Sequence, residues 1–103
     1  MTNKEWFKEA KYGMMVHFGL YSLLAGEWNG KRMGNTIGEW IQAYFRIPNV
    51  EYEKLASAFN PIYFDADEWV DIAIDSGMQY MVVTSKHHEG FALYHSEVDK
   101  FNV

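Results

Sequence analysis

Histidine, carboxylate and indole groups cluster at a few places in this sequence, and those places are where chemistry is possible. His17 closes an apolar run. His87 and His88 stand side by side between Lys86 and Glu89, just after a second apolar run. Glu39 and Trp40 are adjacent after a glycine-rich stretch. Imidazole and carboxylate groups are the usual nitrogen and oxygen ligands of metal ions, so His17, His87, His88 and Glu89 admit a metal-dependent hydrolase. No tight His-x-His or His-Glu-x-x-His spacing is present, which weakens that reading. Each group also has a plainer role. A histidine after an apolar strand is often a satisfied structural residue. In an extended segment, adjacent side chains such as His87 and His88 point to opposite sides. Glu39 suits a helix N-terminus by its charge, and Trp40 suits the core of an amphipathic helix. The absence of cysteine removes disulfides, thiolate metal sites and a thiol nucleophile.

These residues have to be positioned by the elements before them. Tyr12 to Val16 and Tyr80 to Thr84 are short, nearly continuous apolar runs, the pattern of parallel strands buried on both faces. A short helix is expected over residues 4–11. Residues 20–38 contain Gly26, Gly30, Gly34 and Gly38 and read as one long loop. Trp28 in that loop either lines an outer subsite or packs the loop. Helical spacing follows in residues 39–45 and 49–59, the second stopped by Pro61. The next helix is the best marked. Asp65 and Glu68 have capping-box spacing, Ala66, Trp69, Val70 and Ala73 form its stripe, and Gly77 sits at its C-terminal end. Trp69 is expected in the core. The tail, residues 94–103, carries no decisive pattern.

Two buried strands joined through helices form a crossover that should be parallel and right-handed. The strand exits, bearing His17 and Lys86-His87-His88, should then share the face where α/β sheets and barrels place their sites. Two strands alone would expose both sheet edges.

At this point the motifs become specific. The run Lys8-Glu9-Ala10-Lys11-Tyr12-Gly13-Met14-Met15-Val16-His17-Phe18-Gly19-Leu20-Tyr21-Ser22 resembles the opening of α-L-fucosidases of glycoside hydrolase family twenty-nine. Gly38-Glu39-Trp40 resembles a second element of that family. Glu51-Tyr52 through Asn60-Pro61, with Phe64 to Trp69, resembles a third, and Thr84-Ser85-Lys86-His87-His88-Glu89-Gly90-Phe91 the most specific one. Asp99-Lys100-Phe101-Asn102-Val103 also fits, at a point where the family's chains go on. One departure is Phe18, where the family usually has Trp. Phe keeps the apolar face and loses the indole N–H donor.

The resemblance implies an α/β fold, specifically a (β/α)8 TIM barrel. Such a barrel needs roughly 250 residues, so residues 1–103 are expected to be the N-terminal segment of one catalytic domain, about two of its β/α units. It implies a retaining exo-α-L-fucosidase acting on L-fucosides. Retention uses a nucleophile and an acid/base carboxyl about 5–5.5 Å apart. Both are expected beyond residue 103, so the isolated chain is expected to be inactive. It implies that His17, Glu39, Trp40, His87 and His88 bind the sugar, that Glu89 is structural or peripheral, and that no cofactor or metal is needed. A metal-dependent barrel hydrolase and a non-catalytic carbohydrate-binding fragment are the alternatives.

Composition is compatible with this. Apolar residues make up 49% and aromatics 17%, so a core can form. The formal net charge of −5 argues against a nucleic-acid partner, and the scattered basic residues make no membrane patch. The N-terminus lacks an apolar h-region, so the expected location is the cytoplasm, or the periplasm or exterior if a signal was removed before this numbering. The oligomeric state is left open.

Overall fold

The computed structural model describes residues 3–103. In chain order the elements are α1 (Asn3–Ala10), β1 (Gly13–Val16), α2 (Leu20–Leu24), β2 (Glu27–Trp28) and β3 (Lys31–Arg32). A 3₁₀ turn (Gly38–Trp40) leads into α3 (Ile41–Tyr44), and α4 (Asn49–Tyr52) runs on as 3₁₀ helix (Glu53–Ala58). α5 (Ala66–Asp75) and β4 (Tyr80–Val83) follow. The fold is mixed α/β, and the described residues contain no barrel. They divide into two compact units.

The first unit is residues 3–16 together with Pro61–Val83. Its sheet is β1 paired with β4, parallel as expected, with Gly13 opposite Tyr80 and Val16 opposite Val83. Gly13 is required by that pairing, because a Cβ there would fall on the Tyr80 ring. Trp6 and Phe7 of α1 meet the same ring, with centroids 6.1 and 5.1 Å away. α5 begins as its sequence dictates: one oxygen of Asp65 accepts the N–H groups of Asp67 and Glu68 at 3.0 and 3.2 Å. It ends in a Schellman motif. Met78 N–H donates to Ala73 and Gly77 N–H to Ile74, with Gly77 at φ +79°.

Burial on both faces is not what the strands show. Met15 is 63% and Val83 53% exposed. Among the described residues there are only two strands in this sheet, and a two-stranded ribbon lacks the flanking strands and helices that would cover it. The α5 stripe is likewise open at Val70, Ile72 and Ile74. Ala73 is buried, whereas Trp69 is half-buried, its ring edge-on to Phe64, and is not core.

The second unit is His17–Asn60 with Thr84–Val103, and it contains the hydrophobic core. Leu20, Tyr21, Ile41, Ile47, Tyr52 and Phe91 are its buried centre. The stretch expected to be a loop is largely structured. Leu20–Leu24 is helical because Leu20 and Tyr21 drop into this core. β2 and β3 form an antiparallel hairpin with Glu27 opposite Arg32. Its two-residue connection, Asn29-Gly30, has φ +49° and +76°, the mirror-type turn that Asn-Gly favours. Trp28 is half-buried and packs against the core. The tail folds back on residues 91–93: Ala92 N–H donates to Phe101 and Val103 N–H to Ala92. Lys86 and Asp99 form an exposed ion pair at 2.8 Å.

Candidate functional site

His17 and Thr84 are the residues that follow β1 and β4 along the chain, and both belong to the second unit. There His17 and His87 meet ring to ring, with centroids 5.2 Å apart. His87 and His88 are 4.3 Å apart. Trp40 reaches the group from the 3₁₀ turn, its indole 5.5 Å from His88. Glu39, half-buried on the same turn, is near enough for its charge to act on both His87 and Tyr21. So the five residues singled out in the sequence come together in one unit. His17, Trp40 and His88 are exposed, while His87 and Glu39 are half-buried. Glu39 lies in the first turn of the 3₁₀ segment, as its helix-start reading expects, and its charge acts on His87. Trp40, 53% exposed, is not a core residue.

Burial pushes His87 below its ordinary pKa, the charges of His88 and His17 push the same way, and Glu39 opposes them. His87 is therefore a neutral imidazole at pH 7, a group that can donate from one ring nitrogen and accept at the other.

Glu89 holds the two histidine-bearing segments together. One carboxylate oxygen accepts the Leu20 N–H at 3.1 Å, and the other accepts the hydroxyl of buried Tyr52. Gly19 is part of this fit: a Cβ there would collide with the Glu89 carboxylate and lie 2.8 Å from the Tyr21 ring. Burial raises the Glu89 pKa, against the opposing pull of its donors and of His88. Burial, with the bond to Glu89, drives the Tyr52 phenol far above its usual range. The structural reading of Glu89 is thus correct, and "peripheral" is not. Phe18 lies half-buried with its ring 5.3 Å from Phe59, an apolar contact that needs no indole donor.

Two neighbours were not singled out by sequence reasoning, Tyr21 and Thr84. Tyr21 carried a signal, an aromatic hydroxyl four positions after His17. Its ring is 5.8 Å from His87. Among the described residues, no group of three or more His, Cys, Asp or Glu side chains is placed to hold a metal ion, so the metal-dependent alternative has no site here. No helix among them is long and apolar enough to cross a membrane.

Elements and site together define an α/β protein in which imidazole, carboxylate and indole groups from distant segments share one face of the second unit. Comparison with known proteins narrows that class. The profile of the alpha-L-fucosidase family matches residues 1–103, and the chain belongs to that family. It is 39% identical to tissue alpha-L-fucosidase of Rattus norvegicus, over 90% of this chain and 21% of that protein. Among solved structures, alpha-L-fucosidase AlfC from Lactobacillus casei is 62% identical with a TM-score of 0.89, over 95% of this chain and 30% of that one. An alpha-L-fucosidase from Bacteroides thetaiotaomicron is 36% identical with a TM-score of 0.91, over 96% of this chain and 22% of that one. The chain thus spans less than a third of the length of these relatives.

Proposed function

We propose that this chain forms the opening part of the (β/α)8 catalytic barrel of a retaining exo-α-L-fucosidase and supplies its fucose-binding wall. The observation that carries this is the meeting of His17, His87, His88 and Trp40, beside Glu39, in a member of the α-L-fucosidase family. The chemistry suits a deoxy sugar. Imidazole nitrogens and the Glu39 carboxylate can bond to its hydroxyls, and the exposed Trp40 indole can cover its apolar face. The L. casei relative was solved with α-L-fucose and with Fucα(1,6)GlcNAc, which supports a fucoside as the ligand. On the family resemblance, the nucleophile and the acid/base carboxyl are assigned to later barrel strands. This segment holds the sugar and does not cleave it.

The test is hydrolysis of a synthetic aryl α-L-fucoside by the full-length protein bearing this segment, with the product anomer followed by NMR. Fucose released first as the α anomer supports the reading, and an inactive protein overturns it. Trp40→Ala should weaken fucose binding about tenfold, in line with the loss of one aromatic contact.

A further inference from the structure

Among the described residues, the buried side-chain polar atoms without a hydrogen-bond partner are Tyr21 Oη, Thr84 Oγ1 and Nδ1 of His87. They are not scattered. The Thr84 hydroxyl lies close enough to the Tyr21 phenol to work against the burial-driven rise in its pKa. The Tyr21 ring stands edge-on to His87 at 5.8 Å. Thr84 and His87 belong to the same short segment after β4. Buried polar atoms need partners, and a gap bounded by several of them is where a protein holds an internal water.

We propose that the hydroxyls of Tyr21 and Thr84, with one buried water, form a relay that ends on Nδ1 of His87 and fixes this ring as its Nε2–H tautomer. Counting hydrogens selects that tautomer. Each hydroxyl brings one hydrogen and the water brings two. Thr84 donates to Tyr21, Tyr21 to the water, and the water to both Nδ1 and the Thr84 oxygen. Every hydrogen then has an acceptor. If Nδ1 carried a proton as well, one hydrogen in this closed group would have none. A stranded buried donor disfavours that arrangement by roughly tenfold or more. The groups facing the ring are His17, His88 and Glu39, and their net effect with burial is to keep it neutral, so the choice between tautomers is the relevant one.

Tyr21 and Thr84 are on this account positioning residues. They leave the opposite nitrogen, Nε2, as a committed donor. The donation of that N–H to a sugar hydroxyl rests on the proposed function, whereas the tautomer does not. The experiment is two-bond proton–nitrogen correlation NMR of the histidine-labelled full-length protein at about pH 8, above the ordinary histidine range. In the wild type, His87 should show an unprotonated Nδ1 and a protonated Nε2 with at least tenfold bias. Thr84→Val and Tyr21→Phe should each reduce the bias several-fold and leave His17 and His88 unchanged. Thr84→Ser, which keeps the hydroxyl, should restore it. A protonated Nδ1 in the wild type overturns the relay, whatever the variants do. So does an unchanged bias in folded Thr84→Val. An L-fucose titration in the same tube separates the two claims. If the full-length protein shows the tautomer without any fucose-induced shift at His87, the relay stands and the proposed function falls.

Discussion

Replacing Glu89 with Ala tests how the histidine-bearing segments are joined. The carboxylate receives the Leu20 N–H and the Tyr52 hydroxyl. Leu20 is 0% and Tyr52 1% exposed, so Glu89→Ala leaves these donors without acceptor or bulk water. Each buried unsatisfied donor costs about 1–3 kcal/mol. Two effects reduce the sum. The vacated side-chain volume admits water that satisfies one donor. The variant also no longer buries a carboxylate whose raised pKa shows that burial outweighs its hydrogen bonds. The expected loss is about 2–4 kcal/mol, a large fraction of the ~5–15 kcal/mol stability of a typical domain. Urea unfolding followed by tryptophan fluorescence measures it, with the m-value checked for constancy. Tyr52→Phe removes one donor and should cost about 1 kcal/mol. Combined with Glu89→Ala it should cost clearly less than the sum, because the stranded hydroxyl is gone. A Glu89→Ala loss below about 1 kcal/mol at constant m would refute the reasoning, since the donors would then be satisfied elsewhere.

Glu89→Gln should keep most of the stability and change its pH profile. A carboxyl with raised folded pKa favours the folded state most below its ordinary value of 4.5 and loses that advantage as pH climbs through the folded value. Wild-type stability should therefore decline over that window relative to Gln, measured by urea midpoints across pH. Gly19→Ala should destabilise by about 1–3 kcal/mol as its methyl displaces the Glu89 carboxylate and the Tyr21 ring, read as a lowered melting temperature. Asp65→Ala should cost about 1 kcal/mol through the loss of both cap bonds, and Asp65→Asn should recover most of it.

What was legible in the sequence was what local pattern decides. The two apolar runs are the paired parallel strands, and the helix with Asp65 before it and Gly77 after it is α5 with those residues in those roles. The convergence of His17 with His87 and His88 followed from strand direction. Residues 20–38 were misread because glycines dominated the pattern. Asn29-Gly30 between Trp28 and Lys31 was a hairpin signal in plain view, and Leu20-Tyr21 helicity is imposed by the core and by Glu89. The helical stretches expected over 39–45 and 49–59 are present over 38–44 and 49–58, each part α and part the tighter 3₁₀ form. Arg46 takes a left-handed φ of +52° and Pro48 stands two residues on, which separates the two segments. Exposure of Met15, Val83 and Trp40 could not be read from periodicity, which says which residues share a face and not what covers it. Tyr21 and Thr84 escaped notice because a hydroxyl's partner is a tertiary fact.

The Glu89 latch also has a kinetic meaning. Its bond to Leu20 spans 69 positions of chain. The length-dependent part of closing such a loop costs about 4 kcal/mol, comparable to the stabilisation the latch supplies. The carboxylate cannot close the loop alone. Leu20, Ile41 and Phe91 have to collapse first and bring Gly19 and Glu89 within reach. The histidine wall is then among the last features to form during folding, and mutations at Glu89 should speed unfolding while scarcely slowing folding. A binding surface assembled so late reports on the integrity of everything folded before it.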